Sequence, residues 1–345
     1  MQNRRQQRRR LDEIDATVLL QSLEDEFELP SRDPITPAAS GTTLTGKGEP
    51  VSVDEATHRD YRKGVGKLIH LGKYTKSEIL NAVRELSRFG SNPNPAHYKA
   101  MLRCMRYCVS TKEQGLLLKP TGRWDGKDKN YKFRIRGRSD STFASCPETK
   151  RSVSGWSCYL NDAPYVRKSK MQKFVTLSVT EAECVAGTSC VQDMIYGKNF
   201  LESMGLQVEL PMVLEMDNKG GVDIFNSWSI AGNTRAVSIR FAYIRELKEA
   251  GILEIKWIKG EDNESDLFTK NLDGPAFKRH ASVFHGQSST EESDMKEEEC
   301  WNGDVWGDTT NMKNTNERKG VPPGVKNSME RKSENIRSTP QNIDS

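Results

Sequence analysis

Over residues 131–175 the hydrophobic pattern shifts to a period of two. The runs YKFRIRGRSD, SVSGWSCYL and APYVRKS alternate in this way and are separated by Asp, Asn, Pro and Gly, which reads as three successive strands, antiparallel to one another. The period then changes to that of a helix for roughly 25 residues, 178–204, with Thr180 and Glu183 at capping-box spacing. MVLEMD reads as a short buried strand, VDIFNSWS as a brief helix, and RAVSIRFAYIRELKEAG as a longer helix closed by Gly251. ILEIKWI makes a fifth strand and ESDLFTKNL a last helix. Strands first, then helices and strands in alternation, predict an α/β chain with a mixed five-stranded sheet covered by helices on both faces.

Ahead of this region, residues 1–58 read as a largely disordered leader. The start is rich in Arg, a short helix is suggested at residues 11–27 by Leu19, Leu20 and Leu23, and LPSRDPITPAASGTTLTGKGEP follows. Residues 59–120 have helical spacing. In SEILNAVRELSRF, Ile79, Ala82, Val83 and Leu86 form an apolar stripe behind Ser77 as cap, with Arg84 and Arg88 on the opposite, wet side. Pro95 starts a second helix with Tyr98, Met101, Leu102, Met105, Cys108 and Val109 on one face. Cys104, Cys108, Cys184 and Cys190 read as small core residues. The sheet region spans residues 128–284. Residues 285–345 are expected to be disordered, because the last 60 residues hold only 11 apolar ones.

Seven cysteines without CxxC or Cys/His finger spacing argue against a disulfide framework or a structural zinc site. No apolar run approaches the 18 or so residues of a spanning helix, and no apolar stretch follows the basic start, so the expected setting is intracellular, with no membrane partner. The net charge of +4 is unevenly spread: the last 60 residues carry twelve acidic and eight basic side chains, which leaves a net +8 on the first 285. A mildly basic body admits a nucleic-acid partner without requiring one.

The candidate chemistry lies in four carboxylates. Asp140 ends the first strand, Glu183 sits in the first turns of the long helix, Asp217 ends the fourth strand and Asp266 opens the last helix. Four gathered carboxylates repel unless cations compensate them, and hard oxygen ligands select Mg²⁺ or Mn²⁺. Two such ions activate a water on one side of a phosphodiester and stabilise the leaving oxygen on the other, which is nuclease chemistry. With 48 acidic residues in the chain, spacing alone leaves many other quartets open.

Six runs in one order sharpen the reading. RSDSTFAS, KRSVSGWSCYLNDAP, KSKMQKFVTLSVTEAECVAG, LEMDNKGGVD, TRAVSIRFAYIRELKEAGILEIKWI and SDLFTKNL together resemble the ribonuclease H domain of copia-type LTR-retrotransposon Gag-Pol polyproteins. Upstream, YRKGVGKLIHL and the run from SEILNAV to GLLLKP resemble the connection segment between reverse transcriptase and that domain. The likeness covers residues 36–284. It implies an RNase H-like fold, a metal-dependent endoribonuclease that cuts the RNA strand of RNA/DNA hybrids, and two Mg²⁺ ions, with Mn²⁺ as a substitute, on Asp140, Glu183, Asp217 and Asp266. Glu181 competes with Glu183 inside TEAE, and the family pattern favours Glu183. Glu215 reads as a flanking residue. For nucleic-acid contact, Lys150, Arg151, Lys168, Lys170 and Lys173 supply basic residues near the start of the long helix, with Trp156 or Tyr165 as neighbours, and phosphate positioning is the functional reading.

Some positions depart from the family. Ala236 and Ala242 stand where it often has histidine, and no histidine falls between Tyr98 and Arg279, so a histidine-assisted step is unsupported. No adjacent aspartates occur, as a polymerase hairpin of this family requires, so an upstream polymerase is expected as a missing partner. The alternatives are a catalytically silent transposon remnant that binds nucleic acid at most, and, more remotely, an integrase-like core on a similar sheet. The resemblance implies a cytoplasmic particle as the location; Arg4, Arg5, Arg8, Arg9 and Arg10 leave a nuclear address open.

Overall fold

A computed structural model describes residues 13–14, 16–46, 53–122, 124–226 and 235–285, the side chains of 13–14 and 235–238 excepted. The Arg-rich start, residues 227–234, the side chain of Ala236 and the tail from residue 286 lie outside the described residues, so the readings placed on them are not addressed by it.

The alternating runs form β4 (Ile135–Thr142), β5 (Val153–Leu160) and β6 (Ala163–Met171), paired antiparallel in turn. Preceding them are the two-residue strands β1 (Glu13–Ile14), β2 (Leu116–Leu117) and β3 (Lys132–Phe133); β7 (Gln207–Val208) pairs with β3. β8 (Met212–Met216) joins β4 in parallel and β9 (Leu253–Trp257) joins β8 in parallel, so the mixed sheet has the order β6-β5-β4-β8-β9. The helices are α1 (Thr17–Glu26), α2 (Glu55–Tyr74), α3 (Leu80–Ser87), α4 (Pro95–Ser110), α5 (Val179–Ser203), α6 (Lys219–Asn226), α7 (Arg235–Glu249) and α8 (Gly274–His285). Gly251, at φ +67°, ends the turn after α7.

Two glycines set how closely the layers approach. A Cβ on Gly137 would lie 2.5 Å from Cys190 Sγ and 2.7 Å from Met194 Sδ, so only glycine lets α5 settle onto β4. A Cβ on Gly155 would lie 2.7 Å from both Phe268 Cβ and Thr269 Cγ2, on the opposite face, where the short 3₁₀ turn Glu264–Phe268 rests. On that same face Arg84 of α3 donates to Ser169 Oγ of β6 at 3.1 Å. Helices therefore cover both faces.

The core has two parts. Between the sheet and α5, Val191, Met194, Met212, Leu214, Met216 and Ile244 are buried, each contributing about 1.5–3 kcal/mol relative to exposure. The second part gathers Leu68, Leu71, Ile79 and Met105 of the helical segment together with Tyr159, Phe268, Phe277 and Phe284. Helical segment and sheet thus share apolar packing across the boundary drawn at residues 120–128.

Several expectations change in the structure. Residues 17–46 are not a loose leader: Leu20 and Leu23 of α1 are buried in the second core, and Lys67 donates to Ser22 Oγ at 2.9 Å. α3 has no side-chain cap, because Ser77 begins a separate 3₁₀ turn, Ser77–Ile79, and is itself buried. The charged side of α3 is not wet; Arg84 pairs with Glu85 at 3.3 Å and Arg88 with Glu148 at 2.6 Å. Asp140 does not end its strand, which continues to Thr142. ESDLFTKNL forms a five-residue 3₁₀ turn rather than the last helix, because Asn263 caps Ser265 N at 3.3 Å and the chain then turns toward α8. The cap of α5 is Ser178, which accepts from Glu181 N at 3.1 Å while Glu181 Oε2 accepts from Leu177 N at 2.7 Å. That leaves Glu183 unoccupied by capping.

Candidate metal centre

The parallel register of β4 and β8 builds the site. Their pairing stops at Ser139↔Met216, so the next residues, Asp140 and Asp217, lie side by side where β8 gives out. Ligands in open α/β sheets gather at such carboxyl ends of strands. α5 enters above them with Glu183 in its second turn. One oxygen each from Asp140, Glu183 and Asp217 lies within 4.8 Å of the others, a cluster drawn from three separate elements.

Each carboxylate is held. Thr269 Oγ1 donates to Asp140 Oδ2, and Asp140 is 2% exposed. Ser141 N donates to Glu183 Oε1 at 3.3 Å, while Glu183 Oε2 is buried without a hydrogen-bond partner, the residue being 3% exposed. Trp257 Nε1 donates to the Asp217 carbonyl at 2.9 Å and fixes its backbone. Burial, then the charges of Asp140 and Asp217, push the Glu183 carboxyl up to about 9. Burial and Asp140 raise that of Asp217 also. These shifts describe a site with too much negative charge for its own cations.

Asp266 stands beside this trio rather than within it. It sits third in the 3₁₀ turn, and Lys270 Nζ lies 2.6 Å from its Oδ1 and 3.4 Å from Asp140. Burial and Asp140 push Asp266 up to about 7, against the pull of Lys270. Burial alone would lower the Lys270 ammonium, but Asp140, Asp266 and Asp217 outweigh it and hold the charge.

The trio fits a hard divalent cation. Opposite ligands of octahedral Mg²⁺ are about 4.2 Å apart, twice its usual bond length, so the 4.8 Å spread needs only a small contraction. The unpartnered Glu183 oxygen supplies a ligand atom with nothing else to bind.

A second charged cluster occupies β4 just before Asp140. Arg138 Nε donates to Glu215 at 2.6 Å, and its Nη1 donates to the Asp262 carbonyl at 2.7 Å and to the buried Glu264. Tyr159 and Ser157 also donate to Glu264, and Arg136 stacks 3.9 Å from the Tyr159 ring. Burial works against the Arg138 charge, but Glu264 and Glu215 outweigh it and raise the guanidinium further. This clamp ties the turn carrying Asp266 to the sheet, and Glu215 belongs to it.

The basic residues divide. Lys168 pairs with Asp193 of α5 at 2.7 Å, lies over the Trp156 ring, and Trp156 itself is buried with its indole N–H on Asp193 at 2.7 Å. Tyr165 is turned to the Asp193 carbonyl. The buried Trp156 presents no face for a base. Lys150, Arg151, Lys170 and Lys173 are exposed. Lys150 lies in the β4–β5 turn at φ +55°. Lys170 pairs with Ser154, itself opposite Ser141, two strands or about 10 Å from the acidic strand. Thr269, Lys270, Asn263 and the Arg138–Glu264 clamp were not singled out from the sequence; the one legible signal was the Asp266–Lys270 spacing of four.

No family model matches the chain. It is 28% identical over 250 residues to the retrovirus-related Pol polyprotein from transposon TNT 1-94 of Nicotiana tabacum, covering 71% of this chain and 18% of that protein. The corresponding polyprotein from transposon RE1 of Arabidopsis thaliana is 29% identical over 243 residues, 70% of this chain and 15% of its own. The chain is a homologue of retrovirus-related Pol polyproteins from transposons. It spans under a fifth of the length of these Pol polyproteins. A further relative, secreted RxLR effector protein 161 of Plasmopara viticola, is 33% identical over 136 residues, 39% of this chain and 89% of that protein. Among solved structures, LC11-RNase H1 isolated from compost is 17% identical, with a TM-score of 0.31 over 39% of this chain and 92% of its own. Three antiparallel strands followed by two parallel ones, with α5 crossing β4, form the mixed five-stranded α/β sheet.

Proposed function

We propose that this Pol segment is a metal-dependent endoribonuclease that cleaves the RNA strand of RNA/DNA hybrids. The observation that carries the reading is the convergence of Asp140, Glu183 and Asp217 on one point, with a buried Glu183 oxygen left without a partner. Asp140, Glu183 and Asp217 would hold a divalent ion, Mg²⁺ or Mn²⁺, and Asp140 with Asp266 a second. When bound, such ions supply an activated water and charge stabilisation at the leaving oxygen.

The protein's own groups position and compensate. Thr269 orients the Asp140 carboxylate, the Trp257 indole anchors the Asp217 backbone, and the Arg138–Glu264 clamp keeps the Asp266 turn against β4. Lys150, Arg151, Lys170 and Lys173 are exposed cations suited to backbone phosphates, with Lys168 weakened for that role by Asp193. The 2′-hydroxyl distinguishes the RNA strand from the DNA strand. The Pol relatives support the presence of a polymerase partner upstream in a longer polyprotein.

The test is an end-labelled RNA/DNA hybrid incubated with the chain and Mg²⁺, Mn²⁺ or EDTA, beside Asp217→Asn. Cleavage confined to the RNA strand, requiring metal and lost in Asp217→Asn, is the expected result. A folded chain that binds the hybrid and cuts nothing would be a binding module.

A further inference from the structure

Lys270 is the one cation among the described residues that reaches the acidic cluster. Its Nζ lies 2.6 Å from Asp266 Oδ1 and 3.4 Å from Asp140, and so stands between the carboxylates that a second divalent ion would need. The trio Asp140, Glu183 and Asp217 is left to one side, with the unpartnered Glu183 oxygen pointing to a place for a single ion. The ammonium is not locked in. Its side chain is 38% exposed, and the four-carbon stem has many rotamers, so it can swing to solvent or to an arriving anion.

We propose that Lys270 is a resident cation which holds the second metal position in the hybrid-free protein. One divalent ion then binds tightly on Asp140, Glu183 and Asp217. A second enters between Asp140 and Asp266 only when Lys270 leaves, because an ammonium and a dication cannot share two carboxylates at contact distance. An incoming phosphodiester favours that departure: its negative charge offers Lys270 another partner at the moment the second ion is required. Metal loading at this position is thereby linked to substrate. The inference rests on the metal-centre reading given under Proposed function and adds a stoichiometry to it.

Its sign separates it from a structural role. A Lys270 that merely braced the Asp266 turn would, on removal, loosen the site and weaken metal binding. A resident cation would, on removal, strengthen it.

The experiment is a Mn²⁺ titration of the full chain without hybrid, following free Mn²⁺ by electron paramagnetic resonance, for wild type, Lys270→Met and Lys270→Gln, with thermal melts to establish folding. One tight ion in the wild type and two in the variants, the second at least about tenfold tighter than any second ion in the wild type, is the expected result. Two tight ions in the wild type overturn the proposal whether or not either variant folds. One ion in folded variants, or weaker binding than wild type, overturns it as well. No Mn²⁺ bound by any form overturns the metal centre itself, and the proposal with it; that outcome is recognisable because wild type and Asp217→Asn would then behave alike.

Discussion

Strand β4 carries two clusters of buried charge that share a face and differ in balance. In the first, Arg134, Arg136 and Arg138 meet Asp162, Glu215 and Glu264, three cations against three anions, with Tyr159 and Ser157 satisfying the remaining Glu264 oxygen. In the second, beginning two residues on, Asp140, Glu183, Asp217 and Asp266 meet, among the described residues, Lys270 alone. The balanced cluster needs nothing further and fastens one segment to another. The unbalanced one stores electrostatic cost that an added cation relieves, which is the mark of a site rather than a joint.

Perturbing the joint should have the larger effect. Glu264→Ala takes from Arg138 one of its two carboxylate partners and from buried Tyr159 and Ser157 their acceptor, and is expected to cost about 3–5 kcal/mol of unfolding free energy, read from urea melts. A loss under ~1 kcal/mol would mean that the two clusters do not differ in kind. Metal should then act on one cluster alone: Mg²⁺ at a hundred times its dissociation constant is expected to stabilise the chain by about 2.7 kcal/mol, undiminished in folded Glu215→Gln and absent in Asp217→Asn. Glu183→Gln replaces a buried carboxyl that must take up a proton on folding with a neutral amide, so at neutral pH it should stabilise the metal-free chain by on the order of 1 kcal/mol or more while abolishing its response to Mg²⁺.

A further effect is in pH. The Glu183 carboxyl is raised from 4.5 to about 9 in the folded chain, so folding takes up a proton that the unfolded chain releases above its ordinary value. Stability from this source is complete below about pH 4.5 and is lost as pH rises toward 9. Melts of the metal-free chain should therefore soften from pH 5 to 9. Saturating Mg²⁺ should flatten that slope, since the ion binds the deprotonated form.

Much of the sheet could be read ahead of the structure because strand alternation and the unbroken α5 period are local signals. Asp140, Glu183 and Asp217 were singled out at element ends and then by the resemblance, although β4 in fact runs past Asp140 to Thr142. The choice between Glu181 and Glu183 was not local. Two capping-box spacings overlap, Ser178 with Glu181 and Thr180 with Glu183, and propensity does not separate them; the structure caps with Ser178, whose Oγ accepts from Glu181 N while the Glu181 carboxylate accepts from Leu177 N, and Glu183 is left to the centre. Arg88 looked solvated because its partner, Glu148, lies 60 residues away in sequence. α8 was not among the expected elements, although Phe277, His280, Ala281 and Phe284 are spaced at i, i+3, i+4 and i+7 and all are buried.

The packing of Tyr159, Phe268, Phe277 and Phe284 among α2–α4 bears on how the chain could be divided. Residues 118–131, between β2 and β3, are the covalent bridge between its helical and sheet portions, but the apolar side chains make a second bridge that no protease severs. A nick there should leave two fragments that co-elute and melt together, and separately produced halves should find each other at a rate set by their concentrations, as a split reporter does. What binds one half of the sequence to the other is then a matter of association equilibrium as well as of peptide bonds.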